Sequence, residues 1–375
     1  MKVLFLSQGK LISDHPGWND SLIILKREKV ISEFLNIPYY GYVEKFGWDL
    51  FYTKIVSLCS EFKYDLVYFH YFHKNGVPSP KACIQALKAQ SHNPVVITSS
   101  GDPWSDNWMR NDFPENIKEA SRYADITFST QMGRAADKMK RWGAQNIVYT
   151  PNSMCQVRFE PGKINLHRHN FEHDIVFVGS NNTNRFFNPI SQSWYGNKKR
   201  QYLVGQLNKR FGKKLGLYGN RWDNSSSLGP IPFNTQQQVF RKGRIVVGAN
   251  PISTSDYYSS NRLFFEVSSA VPTVELSVPR LDKILRNGDH CYFVADVDEL
   301  IFKCEELLNS DPELLYKKSN AAAKYIGDRH TQYHRMKFKI DTVKRFVKNG
   351  NKLDVKFPFF LNEIDLSDEY NFATR

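Results

Sequence analysis

Short apolar runs, separated by stretches of helical length, recur along the whole of this 375-residue chain. In the first part they are Val3–Leu6, Leu66–Phe69, Val95–Thr98 and Ile126–Phe128. Helix-length segments such as Pro80–Ala89 and Gln131–Trp142 lie between them. Brief buried strands alternating with helices predict an α/β fold, a parallel sheet wrapped by helices. The chain then crosses Thr150-Pro151-Asn152-Ser153 and a polar, His-rich stretch from Lys163 to His173, whose composition suits a linker. A second series follows: Ile175–Gly179, Lys214–Gly219, Ile245–Gly248, Thr273–Leu276 and Tyr292–Val294. Two open α/β units in succession predict a two-lobed protein with a cleft between the lobes. Ligands of such sheets bind beyond the carboxyl ends of the strands, so chemistry is to be sought there. A long basic helix is expected from about Asp328 to Asn349, followed by a tail of mixed charge.

Composition narrows the class. The chain is 41% hydrophobic and 14% aromatic, enough for a substantial core. No apolar run approaches the roughly 20 residues of a membrane span, and Met1–Ser7 is too short for a signal sequence and reads as a buried strand. The five cysteines are widely spaced, with no Cys-x-x-Cys pair, so a disulfide framework or zinc site is not expected and a reducing cytoplasm fits. The balance of 51 basic against 38 acidic residues gives a net charge of +13. An excess of this kind suits an anionic partner: a phosphorylated ligand, nucleic acid or an anionic surface met peripherally. It also suits a well-solvated surface, because the excess is spread along the chain, with small clusters at Lys198-Lys199-Arg200, Lys213-Lys214 and Arg241-Lys242-Arg244.

The most specific pattern is Ser259-Ser260-Asn261-Arg262-Leu263-Phe264-Phe265-Glu266, followed by Ala270-Val271-Pro272-Thr273-Val274. It reads as loop, helix and buried strand. Arg262 and Glu266 are four residues apart and share a helix face. A guanidinium can grip a diphosphate by two hydrogen bonds. A carboxylate one turn away can accept the hydroxyls of a ribose. The same spacing also fits an exposed ion pair on a surface helix. Three strands of the second series end in small or polar residues: Gly179-Ser180, Tyr218-Gly219-Asn220-Arg221 and Gly248-Ala249-Asn250. Glycine there admits a ligand to the backbone, and free amides suit phosphate oxygens, with Arg185 and Arg221 adding charge. Neither a Gly-x-Gly-x-x-Gly nor a Walker-type Gly-Lys-Ser/Thr motif occurs, which argues against a dinucleotide oxidoreductase or P-loop ATPase. In the first lobe, Asp102 follows the strand Val95–Thr98, where a carboxylate facing the cleft can act as a general base, or where Asp-Pro simply caps a turn. Ser7, Gln8 and Gly9 after the first strand, His15 in the loop beyond and Trp104 are placed to line the same cleft.

The second lobe resembles the GT-B glycosyltransferases, and within them the CgeB-like group. The likeness rests on Phe177-Val178-Gly179-Ser180, Leu217-Tyr218-Gly219, the Asn261-Arg262…Glu266 helix, Asp298-Glu299-Leu300 and His330-Thr331-Gln332-Tyr333-His334-Arg335. A more distant likeness is to the T-even phage DNA beta-glucosyltransferases, whose catalytic aspartate follows a strand as Asp102 does here. The resemblance implies two Rossmann-like domains with parallel sheets facing each other across a cleft: an acceptor-binding domain over 1–165, a nucleotide-sugar domain over 170–335, and a basic helix and tail over 336–375 that pack back toward the first.

It further implies transfer of a sugar from a nucleotide sugar, UDP-linked, to a hydroxyl of a saccharide or glycolipid, with no cofactor or metal required. Asp102 would be catalytic, and Ser7, Gln8, Gly9, His15 and Trp104 would bind the acceptor. Gly179, Ser180, Arg185, Tyr218, Gly219, Arg221, Asn261, Arg262 and Glu266 would hold the nucleotide. Many retaining GT-B enzymes carry a second glutamate eight residues before the ribose glutamate, where this chain has Tyr258. Two other readings are a glycosyltransferase acting on hydroxymethylated pyrimidines in duplex DNA and a non-catalytic sugar-nucleotide-binding module.

Overall fold

The computed structural model describes the chain except for residues 73–76, 101–114, 167–169, 183–191, 224–226, 253 and 354–375. Asp102, Trp104 and Arg185 lie outside the described residues. The chain forms two compact units, dividing after Pro151 and again between Thr331 and Gln332.

The first unit runs β1 (Lys2–Ser7), α1 (Pro16–Arg27), β2 (Glu33–Pro38), α2 (Tyr39–Phe62), β3 (Leu66–His70), α3 (Lys81–Lys88), β4 (Val95–Ser100), α4 (Glu115–Tyr123), β5 (Ile126–Ser129), α5 (Arg134–Arg141) and β6 (Ile147–Tyr149). Its sheet has the order β2-β1-β3-β4-β5-β6, parallel throughout. Side chains of a strand alternate between faces, and here both faces are apolar. Val3, Phe5, Tyr68, Ile97 and Phe128 pack with α1 on one side. Leu4, Leu6, Val67, Phe69 and Val96 pack with α2 and α3 on the other. The first face is completed from far along the chain by α11 (Gln332–Lys348), whose Met336, Ile340, Val343 and Phe346 recur at helical spacing and join that core.

The second unit contains β7 (His173–Val178), α6 (Gln192–Phe211), β8 (Leu215–Tyr218), α7 (Gln236–Phe240), β9 (Gly243–Gly248), α8 (Asn261–Ser268), β10 (Thr273–Leu276), β11 (Tyr292–Val294), α9 (Val297–Leu308) and α10 (Pro312–Arg329). The strand order is β11-β10-β9-β7-β8, again parallel. Ile175, Phe177, Leu217, Ile245, Val247 and Val274 form its core with α6 and α9.

Each sheet has one place where the strand order reverses: between β1 and β3 in the first unit, and between β7 and β9 in the second. A crevice opens at such a point because the connections leave in opposite directions, and doubly wound sheets bind their ligands there.

The helix expected from about Asp328 to Asn349 is α11, Gln332–Lys348, and the first residues of the expected span belong to the end of α10. α10 ends at Arg329 and α11 begins at Gln332. The amide of Met154 donates to the carbonyl of the intervening His330 at 2.9 Å, and Met154 and Thr331 form a parallel bridge. Backbone committed to that bridge cannot continue the helical ladder.

Candidate nucleotide site

The residues singled out in the second unit converge on the β7/β9 reversal. Gly179 and Ser180 follow β7, Gly219 follows β8, and Gly248 ends β9. α8 starts beside them, because Asn250 Oδ1 accepts the Ser260 amide at 2.8 Å. Arg262 and Glu266 lie on the inner side of that helix. Arg262 Nε donates to Glu266 Oε1 at 3.1 Å, with side-chain exposures of 17% and 0%. The pair is therefore not the exposed surface bridge that its spacing also allows. The second guanidinium nitrogen of Arg262 donates to the Ala249 carbonyl at 2.9 Å.

Two further charged groups complete a buried cluster. Arg200, from α6, donates to the carbonyls of Ala249 at 2.8 Å and Ser180 at 3.3 Å. It thus ties the loop after β7 to the loop after β9. Burial, and secondarily the neighbouring Arg262, lower its pKa to about 9, so it remains a cation at neutral pH. Glu275, on β10, accepts from Asn250 Nδ2 at 2.9 Å. Burial and the nearby Glu266 raise its pKa well above the carboxylate range, while Arg262 and Arg200 oppose that rise. Burial also raises Glu266, and Arg262 holds it down. Glu266 Oε2 is buried and makes no hydrogen bond. An unsatisfied buried carboxylate oxygen costs free energy, and a ligand hydroxyl would remove that cost.

The strand-end loops differ in one respect from expectation. The amides of Gly179, Asn181 and Gly219 donate to the carbonyls of Tyr218, Asn220 and Gly229, and the amide of Asn220 to Ser180 Oγ. They lock the loops after β7 and β8 together and are not free for phosphate oxygens. Gly219 has φ of +137°, and a Cβ there would overlap the Gly179 carbonyl, so this close approach needs glycine. Charge for a phosphate must come chiefly from side chains.

Other predicted residues take different places. The Tyr218 hydroxyl lies 3.1 Å from His173 Nε2, directed along the sheet rather than toward the strand end. Arg221, with φ of +67°, is exposed and donates to Asn182 Oδ1 at 3.2 Å. Asn261 is exposed, and its Oδ1 accepts the Ser153 amide at 3.4 Å. The sequence pattern does not assign Arg200 or Glu275 to the site. Arg200 sits in a lysine cluster that reads as surface. Glu275 carried a usable signal, being a carboxylate inside an otherwise apolar strand.

In the first unit, Ser7, Gln8, Gly9 and His15 gather at the β1/β3 reversal. Ser7 is buried and gives its hydroxyl to Asn36 Oδ1 at 2.7 Å. Gly9, at φ of +124°, offers its carbonyl to the Tyr40 amide at 2.9 Å. His15 lies in the connection between β1 and α1. It precedes Pro16 at the start of α1, its ring 6.4 Å from that of His70 at the end of β3, which Trp18 also meets at 4.9 Å. Among the described residues, no group of three or more His, Cys, Asp or Glu could hold a metal ion, and no helix is long and apolar enough to cross a membrane.

This architecture is that of the GT-B glycosyltransferases. Residues 199–341, the stretch that holds Arg200, Arg262, Glu266 and Glu275, match the profile of a family described as glycosyl transferase-like. A phage alpha-glucosyltransferase solved with UDP and a 13-mer DNA containing an HMU base superposes with a TM-score of 0.59. The identity is 12%, over 91% of this chain and 98% of that one. The Anabaena HepE protein solved with UDP gives 0.52 at 12% identity, over 92% and 100%. At such identity these likenesses establish a shared fold. The phage neighbour is an alpha- rather than a beta-glucosyltransferase, and the CgeB-like subgroup is not singled out. No curated protein matches the sequence.

Proposed function

We propose that the protein transfers a sugar from a UDP-sugar to a hydroxyl group of a saccharide or glycolipid acceptor. The observation that carries this reading is the Arg262–Glu266 pair, held beside a second buried arginine at the strand-order reversal of the second unit. Binding exchanges partners. Arg262 turns from Glu266 to the diphosphate, and Glu266, no longer bonded to the guanidinium, accepts the ribose hydroxyls. Glu266 has no solvent exposure while Arg262 remains on it, so the two events are linked. The UDP complexes of the phage enzyme and of HepE support a uridine nucleotide on the same fold.

The chemistry follows from charge. The acceptor O–H gives its proton to a carboxylate base, for which Asp102 is proposed, and the oxygen forms a bond to the anomeric carbon. The bond from that carbon to the β-phosphate oxygen breaks, and its electron pair leaves with UDP. Arg262, with Arg185 proposed beside it, stabilises the departing diphosphate by a fixed positive field. Trp104, Gln8 and His15 are proposed to meet the acceptor.

A nucleobase of duplex DNA is the second reading, favoured by the net charge of +13 and by the 13-mer DNA bound in the structure of the phage neighbour. The sequence clusters give it little support. Lys214 and Arg244 pair with Asp174 at 3.1 and 3.4 Å, Lys242 with Glu172 at 3.0 Å, and Arg210 with Glu305. A DNA acceptor would show itself as a duplex shift that weakens steeply with salt.

Calorimetric titration with UDP tests the main reading. Arg262→Ala and Glu266→Gln should each weaken binding about ten- to a hundredfold, the worth of hydrogen bonds to charged groups. Equal affinity in wild type and both variants would overturn it.

A further inference from the structure

Gly248 is enclosed by two carboxyl groups. A Cβ at this position would overlap Glu275 Oε2 and stand 2.7 Å from Glu266 Oε2. Both side chains are fully buried, at 1% and 0% exposure. Two carboxylates this close in a water-excluded site do not both ionise; one keeps its proton. Their surroundings show which one. Glu266 receives a direct hydrogen bond from the Arg262 guanidinium. Glu275 receives a hydrogen bond from a neutral amide, Asn250 Nδ2.

The groups facing Glu275 come from every element around it. Arg200 approaches from α6, and Arg262 and Glu266 from α8. Cys291 approaches from the segment before β11; burial, with Glu275 and Glu266, raises its thiol and keeps it neutral. The cluster thus holds two cations, one carboxylate and one acid.

We propose that Glu275 is a protonated positioning residue of the nucleotide site, a neutral acid that leaves Glu266 as the cluster's single anion and holds the Asn250–Ser260 start of α8 in place. The inference rests on the nucleotide reading for its ligand, but not for its protonation. Ionisation of Glu275 would place a second negative charge against Arg262, the group proposed to receive the diphosphate, and against Arg200 beside it. UDP affinity should therefore fall with rising pH as Glu275 loses its proton, and binding in that range should take up protons. The pH-dependence of folding has a definite sign too. A carboxyl whose folded pKa lies above its unfolded value stabilises the fold at acid pH, and that stability is lost as pH rises through the folded value.

The experiment has two arms, each comparing wild type with Glu275→Gln, which keeps the shape of the acid and cannot ionise. In the first, UDP is titrated from about pH 6 to about pH 9 in buffers of different ionisation enthalpy. Wild type should lose at least about tenfold in affinity across the range and take up protons in the upper part, whereas the variant should show a flatter profile and smaller proton uptake. A wild-type profile that is flat, or an alkaline loss that persists unchanged in Glu275→Gln and so belongs to another group such as Arg200, overturns the proposal. In the second, thermal unfolding is followed over the same pH range without nucleotide. The wild-type midpoint should fall relative to the variant as pH rises; parallel curves overturn the assignment of the proton. Absence of UDP binding in wild type would sink the nucleotide reading, and the unfolding arm would still decide where the proton resides.

Discussion

At the scale of single residues, the site is defined by what a side chain cannot fit. Gly248 does not adopt a positive φ, yet a methyl group there would run into the Glu275 carboxyl. The neighbour is not the free end of a flexible chain but a buried group bonded to Asn250. Gly248→Ala should therefore destabilise the protein by about 1–3 kcal/mol, the usual cost of overpacking a closed interior. Adding Glu275→Ala should recover part of the loss, since the two positions share one space and their effects are not additive. Thermal or urea unfolding of the two singles and the double reads this directly; strictly additive losses would place the conflict elsewhere. The sequence showed Arg262 and Glu266 because helical spacing alone brings them to one face. It did not show Glu275 or Arg200 as their neighbours, because that proximity is created by the parallel order of β9 and β10 and by the packing of α6, neither of which leaves a local pattern.

At the scale of elements, the apolar runs located nine of the eleven strands among the described residues, to within one or two residues at most ends. β2 and β6 were not legible. β2 lies at the edge of its sheet, and its sequence Glu33–Pro38 mixes polar and apolar residues, with only Asn36 buried. β6 is a three-residue strand that runs directly into Thr150-Pro151-Asn152-Ser153, where the sequence reads as the start of a linker. The role of α11 was partly legible as a basic helix, but its inner face holds a charge that no periodicity announces. Lys339 is fully enclosed, donates to the Tyr68 hydroxyl at 2.6 Å, and lies 4.9–5.6 Å from the ring centres of Trp18, Tyr68 and Phe128. Burial, then the neighbouring Arg335, lower its pKa to about 7. The three rings favour the cation but do not replace lost water. The unfolded chain binds this proton more tightly than the folded one between about 7 and the ordinary value of 10.5. Stability should accordingly rise with pH across that window. In Lys339→Met the rise should be reduced, and the melting point below neutrality should increase. A variant that melts lower than wild type at acid pH, with the same slope, would show that the lysine is a net stabilising contact there.

At the scale of the whole molecule, two doubly wound units each place their distinctive residues at the one point where strand order reverses. The second unit puts buried opposite charges there; the first puts Gln8, Gly9, His15 and His70. This correspondence between topology and chemistry is what the proposed sugar transfer draws on, since neither the fold nor the charge alone specifies a reaction. The charge excess, read at first as a sign of an anionic partner, is partly neutralised by local acids in the second unit, which moves the weight toward a small anionic ligand held by a few buried cations.

The central claim is met most directly by a crystal structure of the complex with UDP. The account predicts the diphosphate within hydrogen-bond reach of Arg262, the ribose hydroxyls on Glu266, and the Arg262–Glu266 bond broken. A nucleotide bound at another place, with Arg262 and Glu266 still joined to each other, would contradict it.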